Sequence, residues 1–294
     1  MKNFIIVTDS CSDLTRELRE KYNIDYIPMH TIINGNDTPA SLDWEYVPYK
    51  EFYDTLRKGT RIFTAQINQQ DYETVFEKYI NDGYDILSIS CSSALSGSVK
   101  SSFAARDVLL KKYPESKIYC VDSLNSCFGL GMLCIIASKM RAENKSIDDI
   151  YTWLEQNKLK ANQFCTVESL SYLRRAGRVS AGSAVFGGLL DIKPIIISDK
   201  NGQNSAILKV KGRKTSIKKL VSMFCEAYES NPYQIVCIAN ADCPEDAEFL
   251  RRMIADALPD KNVEILSNVI GPIIGASAGP GTIAVYCLGK EVTQ

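Results

Sequence analysis

With 294 residues, 45% hydrophobic and 23% charged, the chain has the composition of a soluble globular protein of about two domains. Its formal net charge of −1 supplies no field for nucleic acid or an anionic membrane, and no run approaches the roughly 18 apolar residues of a membrane span. The single histidine, His30, leaves most zinc sites and most Ser-His or Cys-His catalysts without a partner unless that residue serves.

Residues 3–8 predict a first strand rather than a signal peptide, and Asp9-Ser10 ends it. Leu14, Leu18 and Tyr22 then recur at helical spacing, with Ser12 as the expected N-cap. A second strand is expected over residues 25–33, up to the turn pair Asn34-Gly35. Helices follow over 48–58 and 70–81, the latter stopped by Asp82-Gly83. Residues 84–90 read as a buried strand, a helix begins near Ser98, and a further strand covers 117–121. Helices over 126–141 and 146–159 complete an alternating pattern, which predicts a parallel sheet covered by helices.

The polar stretch 157–163 is the expected boundary, giving an N-terminal α/β domain of residues 1–162 and a C-terminal domain of residues 163–294. The second half predicts a strand over 164–167, helices over 169–176 and 181–190, and paired strands over 193–197 and 205–211 around Lys200-Asn201-Gly202. Helices over 214–229 and 245–257 alternate with strands over 234–239 and 263–266, and residues 282–287 form the last strand. This half reads as α+β with a mixed sheet.

The ten cysteines include no C-x-x-C pair, and several sit inside apolar runs. They read as buried free thiols in a reducing compartment, with no metal site, and the cytoplasm is the expected location. Two hydroxyl-and-glycine loops stand out, Ser92–Ser98 and Gly275–Gly281, because a small hydroxyl beside glycine brings side-chain and backbone donors close to an anion. The first follows a strand and opens a helix, so it is equally a ligand loop or a plain connection capped by Ser96 or Ser98. Thr64-Ala65-Gln66 is a third hydroxyl site, expected in a loop before a helix. Asp9 and Asp122, each at a strand end before serine, are expected to bond the loop backbone and fix its turn.

Gly275-Ala276-Ser277-Ala278-Gly279 matches the G-x-S-x-G pattern of serine hydrolases. That fold requires a histidine after the serine, and none follows Ser277, so only His30 could act as base. Arg174, Arg175 and Arg178, with Lys209, Lys211, Arg213 and Lys214 further on, read as a solvated face, with docking of an acidic partner as the alternative.

Taken together, these landmarks resemble the DegV family of bacterial fatty-acid-binding proteins. The matching runs are Val7–Ser10 with Asp13-Leu14, Thr64–Gln66, Ser92–Ser98, Val121–Ser123, Leu173–Ser180, Ile192–Ile195 and Ile274–Thr282. The resemblance implies a two-domain protein that holds one long-chain fatty acid between its domains and is not itself an enzyme. Thr64 and Ser96 would bind the carboxylate, with the Gly97 backbone and Ser277. Phe186 and the segment Ile192–Ile196, including Ile195, would line the acyl tail. No cofactor other than the bound acid is implied.

Members serving phospholipid metabolism present the acid to a separate ATP-dependent fatty acid kinase, which would dock here at Arg174, Arg175 and Arg178. The family's last loop usually reads His-Thr-Gly-Pro-Gly, where this chain has Ser277-Ala278-Gly279-Pro280-Gly281. Ala65 and Ser98 also stand where the family more often has Ser and Thr. The rival readings are a serine hydrolase or acyltransferase using Ser277, and a binding protein for another amphiphile without kinase coupling.

Overall fold

The computed structural model describes residues 3–180 and 191–294. In chain order the first half comprises β1 (Phe4–Asp9), α1 (Arg16–Tyr22), β2 (Ile24–Ile27), β3 (His30–Ile33), β4 (Asn36–Pro39), α2 (Tyr49–Arg57), β5 (Ile62–Ala65) and α3 (Gln69–Asn81). It continues with β6 (Asp85–Ser90), α4 (Ser98–Lys112), β7 (Ile118–Asp122), α5 (Cys127–Ala142) and α6 (Ile147–Asn157). The second half adds β8 (Ala161–Thr166), α7 (Ser171–Ala176), β9 (Ile192–Ser198), β10 (Asn204–Lys211), α8 (Arg213–Ala227) and β11 (Ile235–Asn240). It ends with α9 (Pro244–Ala257), β12 (Glu264–Val269), α10 (Pro272–Ala278) and β13 (Ile283–Leu288).

Strands β2-β1-β6-β7 form a wholly parallel sheet, as the strand–helix alternation predicts. The order β10-β9-β8-β13-β11-β12 makes a mixed sheet, antiparallel except for β11 beside β12. Helix α5 joins the two. Thirteen of its sixteen residues are buried, so it is apolar all round and needs a partner on each side. It packs on β1, β2 and β6 of one sheet and on β8, β11 and β13 of the other.

Alternation along β11 distributes its side chains between two cores. Ile235, Cys237 and Ala239 face the core shared with α5, whereas Val236 and Ile238 join a second core under α8 and α9.

Several expectations are corrected. The strand expected over 25–33 breaks at Pro28-Met29, and its halves enter different sheets, β3 pairing with β4 and β5. Pro28 has no N–H for a ladder, while the Met29 N–H is taken by Ser10 Oγ at 2.9 Å. Ser12 lies in a 3-10 turn, and Thr15 caps α1 instead, its Oγ1 accepting from Leu18 N at 3.3 Å. Thr64 and Ala65 belong to strand β5 rather than a loop, and Ser277 lies in the short helix α10. The expected helix over 181–190 lies outside the described residues.

Candidate functional site

The carboxyl ends of parallel strands leave a crevice where the following loops diverge. Here Met29, Cys11, Cys91 and Ser126, from the segments after β2, β1, β6 and β7, line one side of a cavity of about 350 Å³. The mixed sheet, α7 and α10 supply the opposite wall, including Val167, Leu173, Ile196, Ile273 and Ser277. Its size suits a small organic ligand.

Three aspartates lie behind the first wall, Asp9 and Asp13 buried and Asp122 half-buried. Asp9 accepts from Cys11 N through Oδ1 and from Cys91 N through Oδ2, each at 2.8 Å, so one carboxylate ties together two adjacent strand ends. Burial pushes its pKa up to about 6 despite those bonds. Asp122 Oδ1 likewise accepts from Ser93 N at 3.2 Å and Leu124 N at 3.1 Å. Both therefore fix turns, as expected. Asp13 reaches across the molecule instead: its Oδ1 accepts from Gly271 N at 2.9 Å, just before α10. Burial pushes Asp13 up to about 7 despite the Gly271 N–H and the Cys127 thiol beside it.

The hydroxyls of the Ser92–Ser98 loop are largely engaged with their own loop. Ser92 Oγ accepts from Ala94 N, and Ser96 Oγ accepts from Ser98 N, each at 3.2 Å. Ser98 Oγ accepts from Ile67 N at 3.2 Å and lies 3.0 Å from Ser96 Oγ. If Ser98 donates to Ser96, the Ser96 hydroxyl proton is left for the cavity, which Ser96 lines. Gly97 is not a wall residue but the N-cap of α4, and a Cβ there would collide with the Gln66 side chain.

Thr64 and Ser277 both line the cavity, and no hydrogen bond among the described residues uses either hydroxyl. Gln66 joins them with an equally unengaged amide, a site residue that its motif placed in view without assigning it a role. Arg178 is the single charged side chain among the described lining residues, its Nε donating to Leu95 O at 3.0 Å. Its expected place on a solvated docking face is therefore incomplete, since it also walls the cavity.

A smaller hollow of about 110 Å³ shares Thr64, Ser277 and Arg178 with the main cavity and adds Arg61 and Arg175. Arg61 lies over Phe63 at 4.3 Å and Arg175 over Tyr172 at 4.7 Å. None of these three arginines pairs with a carboxylate among the described residues. Arg174 is exposed and lines neither cavity. Arg213 is no part of a solvated face: it is largely buried, pairs with Asp246 at 2.8 Å and donates to Gly281 O at 2.7 Å.

Of the proposed tail residues, Ile196 lines the cavity. Ile195 points the other way and is wholly buried in the core under α8 and α9, as strand alternation requires. Ile192 is half-buried at the start of β9 and is not a wall residue, and Phe186 lies outside the described residues. Four cysteines, Cys11, Cys91, Cys127 and Cys165, line the cavity as free thiols. Burial pushes the Cys165 thiol up to about 12, so it presents a neutral, soft surface. Among the described residues no cluster suits a metal ion, and no helix is long and apolar enough to cross a membrane. His30 is 39% exposed on β3, pairs with Asp37 at 2.7 Å, and is not among the wall residues beside Ser277.

Residues 3–290 match the family model described as "Uncharacterised protein, DegV family". The chain belongs to the DegV family. A DegV domain-containing protein of Clostridium perfringens is 40% identical over 98% of both chains. The fold agrees equally well with solved DegV structures. A Bacillus subtilis DegV described as a fatty acid binding protein superposes with TM-score 0.84 at 26% identity, covering 99% of this chain and 100% of that one. A Thermus thermophilus DegV family protein described by its fatty acid binding gives 0.85 at 25% identity, with the same coverage. The mixed α/β architecture, with one parallel and one mixed sheet, is thus that of the DegV proteins.

Proposed function

We propose that this DegV protein binds a long-chain fatty acid in the 350 Å³ cavity and presents its carboxylate to an ATP-dependent fatty acid kinase. The observation that carries this reading is the junction of two unlike spaces. Thr64 and Ser277, with unused hydroxyls, stand where a cavity walled by isoleucines, valine and thiols meets a hollow ringed by Arg61, Arg175 and Arg178. An acyl tail suits the first space, and a carboxylate suits the junction. A phosphoryl group arriving at that carboxylate would meet the arginines. The fatty acid binding described for the relatives from Bacillus subtilis and Thermus thermophilus supports the ligand class.

In this reading Thr64, Ser277 and Ser96 donate to the carboxylate, Gln66 and Arg178 flank it, and Gly97 admits Gln66 by lacking a side chain. The tail dominates affinity: about 16 carbons buried at ~0.8 kcal/mol per methylene give on the order of 10 kcal/mol gross. One neutral hydrogen bond contributes about 0.5–1.5 kcal/mol net, so serine in place of the family histidine reorients the head group without abolishing binding.

Mass spectrometry of the purified protein, native and then denatured, with organic extraction, tests the ligand. A stoichiometric fatty acid is expected, and a protein that is empty and refuses added acids overturns the reading. For the partner, Arg175→Glu should retain the acid yet slow acyl-phosphate formation with a cognate kinase. Equal rates for variant and wild type would remove the arginine hollow from the transfer step.

A further inference from the structure

The cavity has a second polar patch, outside the arginine hollow. Ser126 and Gln163 are each only 5% exposed and both line the cavity, but neither borders the arginine hollow. Ser126 is the N-cap of α5, a place where a serine hydroxyl normally accepts from the helix's first turn. Here it makes no such bond. The next residue, Cys127, has a φ of 53°, which turns the first helical residue out of the usual geometry. Among the described residues the Ser126 hydroxyl has no partner.

Gln163 sits on β8 directly across from Tyr286, and its amide is locked. Nε2 donates to Asn204 Oδ1 at 3.0 Å, and Asn204 Nδ2 donates to Arg178 O at 3.1 Å. That orientation leaves Gln163 Oε1 as an acceptor with no donor among the described residues. Both line the same cavity, and Asn125 Nδ2 donates to Ala161 O at 2.8 Å, which holds the residue before Ser126 against β8 two residues from Gln163. Gly129 on α5 abuts the ring of Tyr286, the cross-strand partner of Gln163.

A saturated alkyl chain lying along this wall would leave a buried donor and a buried acceptor unmade, which folded proteins avoid. An oxygen on the chain would satisfy both, since a hydroxyl donates to Gln163 Oε1 while accepting from Ser126 Oγ. We propose that the acyl ligand carries a hydroxyl on its chain, recognised by Ser126 and Gln163, so that the substrate class is the hydroxy fatty acids. This rests on the fatty-acid reading above. It makes Ser126 and Gln163 specificity residues, distinct from the head-group hydroxyls, because a site built to bond a hydroxyl discriminates against the analogue lacking it.

The test is competition of a fluorescent fatty acid from delipidated full-length protein by stearic acid and by a positional series of monohydroxystearic acids. One position should bind roughly five- to tenfold more tightly than stearic acid, the gain of a hydrogen-bonded hydroxyl. Ser126→Ala and Gln163→Leu should each shrink the ratio of hydroxystearic to stearic acid affinity. Stearic acid binding at least as tightly as every isomer overturns the proposal, as does a preference that survives both substitutions. If no acid of either kind competes, the fatty-acid reading itself falls and this inference with it.

Discussion

The Ser92–Ser98 loop and helix α10 both bring serine and glycine to the cavity, yet they use them in opposite ways. In the loop, Ser92 and Ser96 accept from nearby backbone N–H groups, while Asp9 and Asp122 hold its early part. In α10, Ser277 makes no such bond among the described residues, and it lines the same cavity as Thr64. A cluster of hydroxyls in a sequence is therefore a poor guide to ligand contact. The useful quantity is how many of their bonds the fold has already consumed. By that measure the first loop is chiefly frame, and Thr64 and Ser277 are the hydroxyls left open to the proposed ligand.

The sharpest way to break this division is Asp9→Ala. It strips the shared acceptor from Cys11 N and Cys91 N, both buried. The expected loss is about 2–4 kcal/mol in urea unfolding, from two orphaned donors. A loss below roughly 0.5 kcal/mol would mean that the loop stands without its carboxylate.

Asp13 gives a smaller effect with a definite sign. Its ordinary value of 3.8 rises to about 7 in the fold. The folded state thus holds a proton that the unfolded chain has lost, and stability falls as pH rises through that window. Between about pH 6 and 8 the Asp13 share of that fall is about 1 kcal/mol. Asp13→Asn keeps an acceptor for Gly271 N but cannot titrate, so its unfolding free energy should decline less over the same range. Superimposable pH profiles for variant and wild type would exclude Asp13 as the group responsible.

Much of the fold was legible because its signals are local and periodic. The alternation of strands with helices predicts the parallel sheet, and Lys200-Asn201-Gly202 marks the β9–β10 hairpin. What escaped depends on distant partners. Pro28-Met29 ends β2 partly because Ser10 claims the Met29 N–H, a contact between residues 19 apart in sequence. Helix α10, rich in glycine and small residues, carries too few large apolar side chains to announce itself, so Ser277 reads as a loop residue. At the site, the motifs brought Thr64, Ser96, Ser277 and Ile196 into view. Ile195 fails through parity, since adjacent residues on β9 face different cores and nothing local says which. The places of Arg178, Gln66 and Gln163 in the cavity wall follow only once register and loop closure fix their directions.

The finest test of the frame-and-site division compares three small substitutions. Thr64→Val preserves shape and removes a hydroxyl that no described residue uses, so stability should stay within about 0.5 kcal/mol of wild type. Fatty-acid affinity should fall about fivefold, the contribution of one neutral hydrogen bond. Ser277→Ala should behave likewise. Ser96→Ala differs, because its oxygen also accepts from Ser98 N and adjoins Ser98 Oγ. It should lose about 1 kcal/mol of stability along with some affinity. Unfolding and ligand competition measured on the same three proteins separate the cases. If Thr64→Val destabilises as much as Ser96→Ala, spare bonding capacity does not mark the ligand-facing hydroxyls, and the division between frame and site fails.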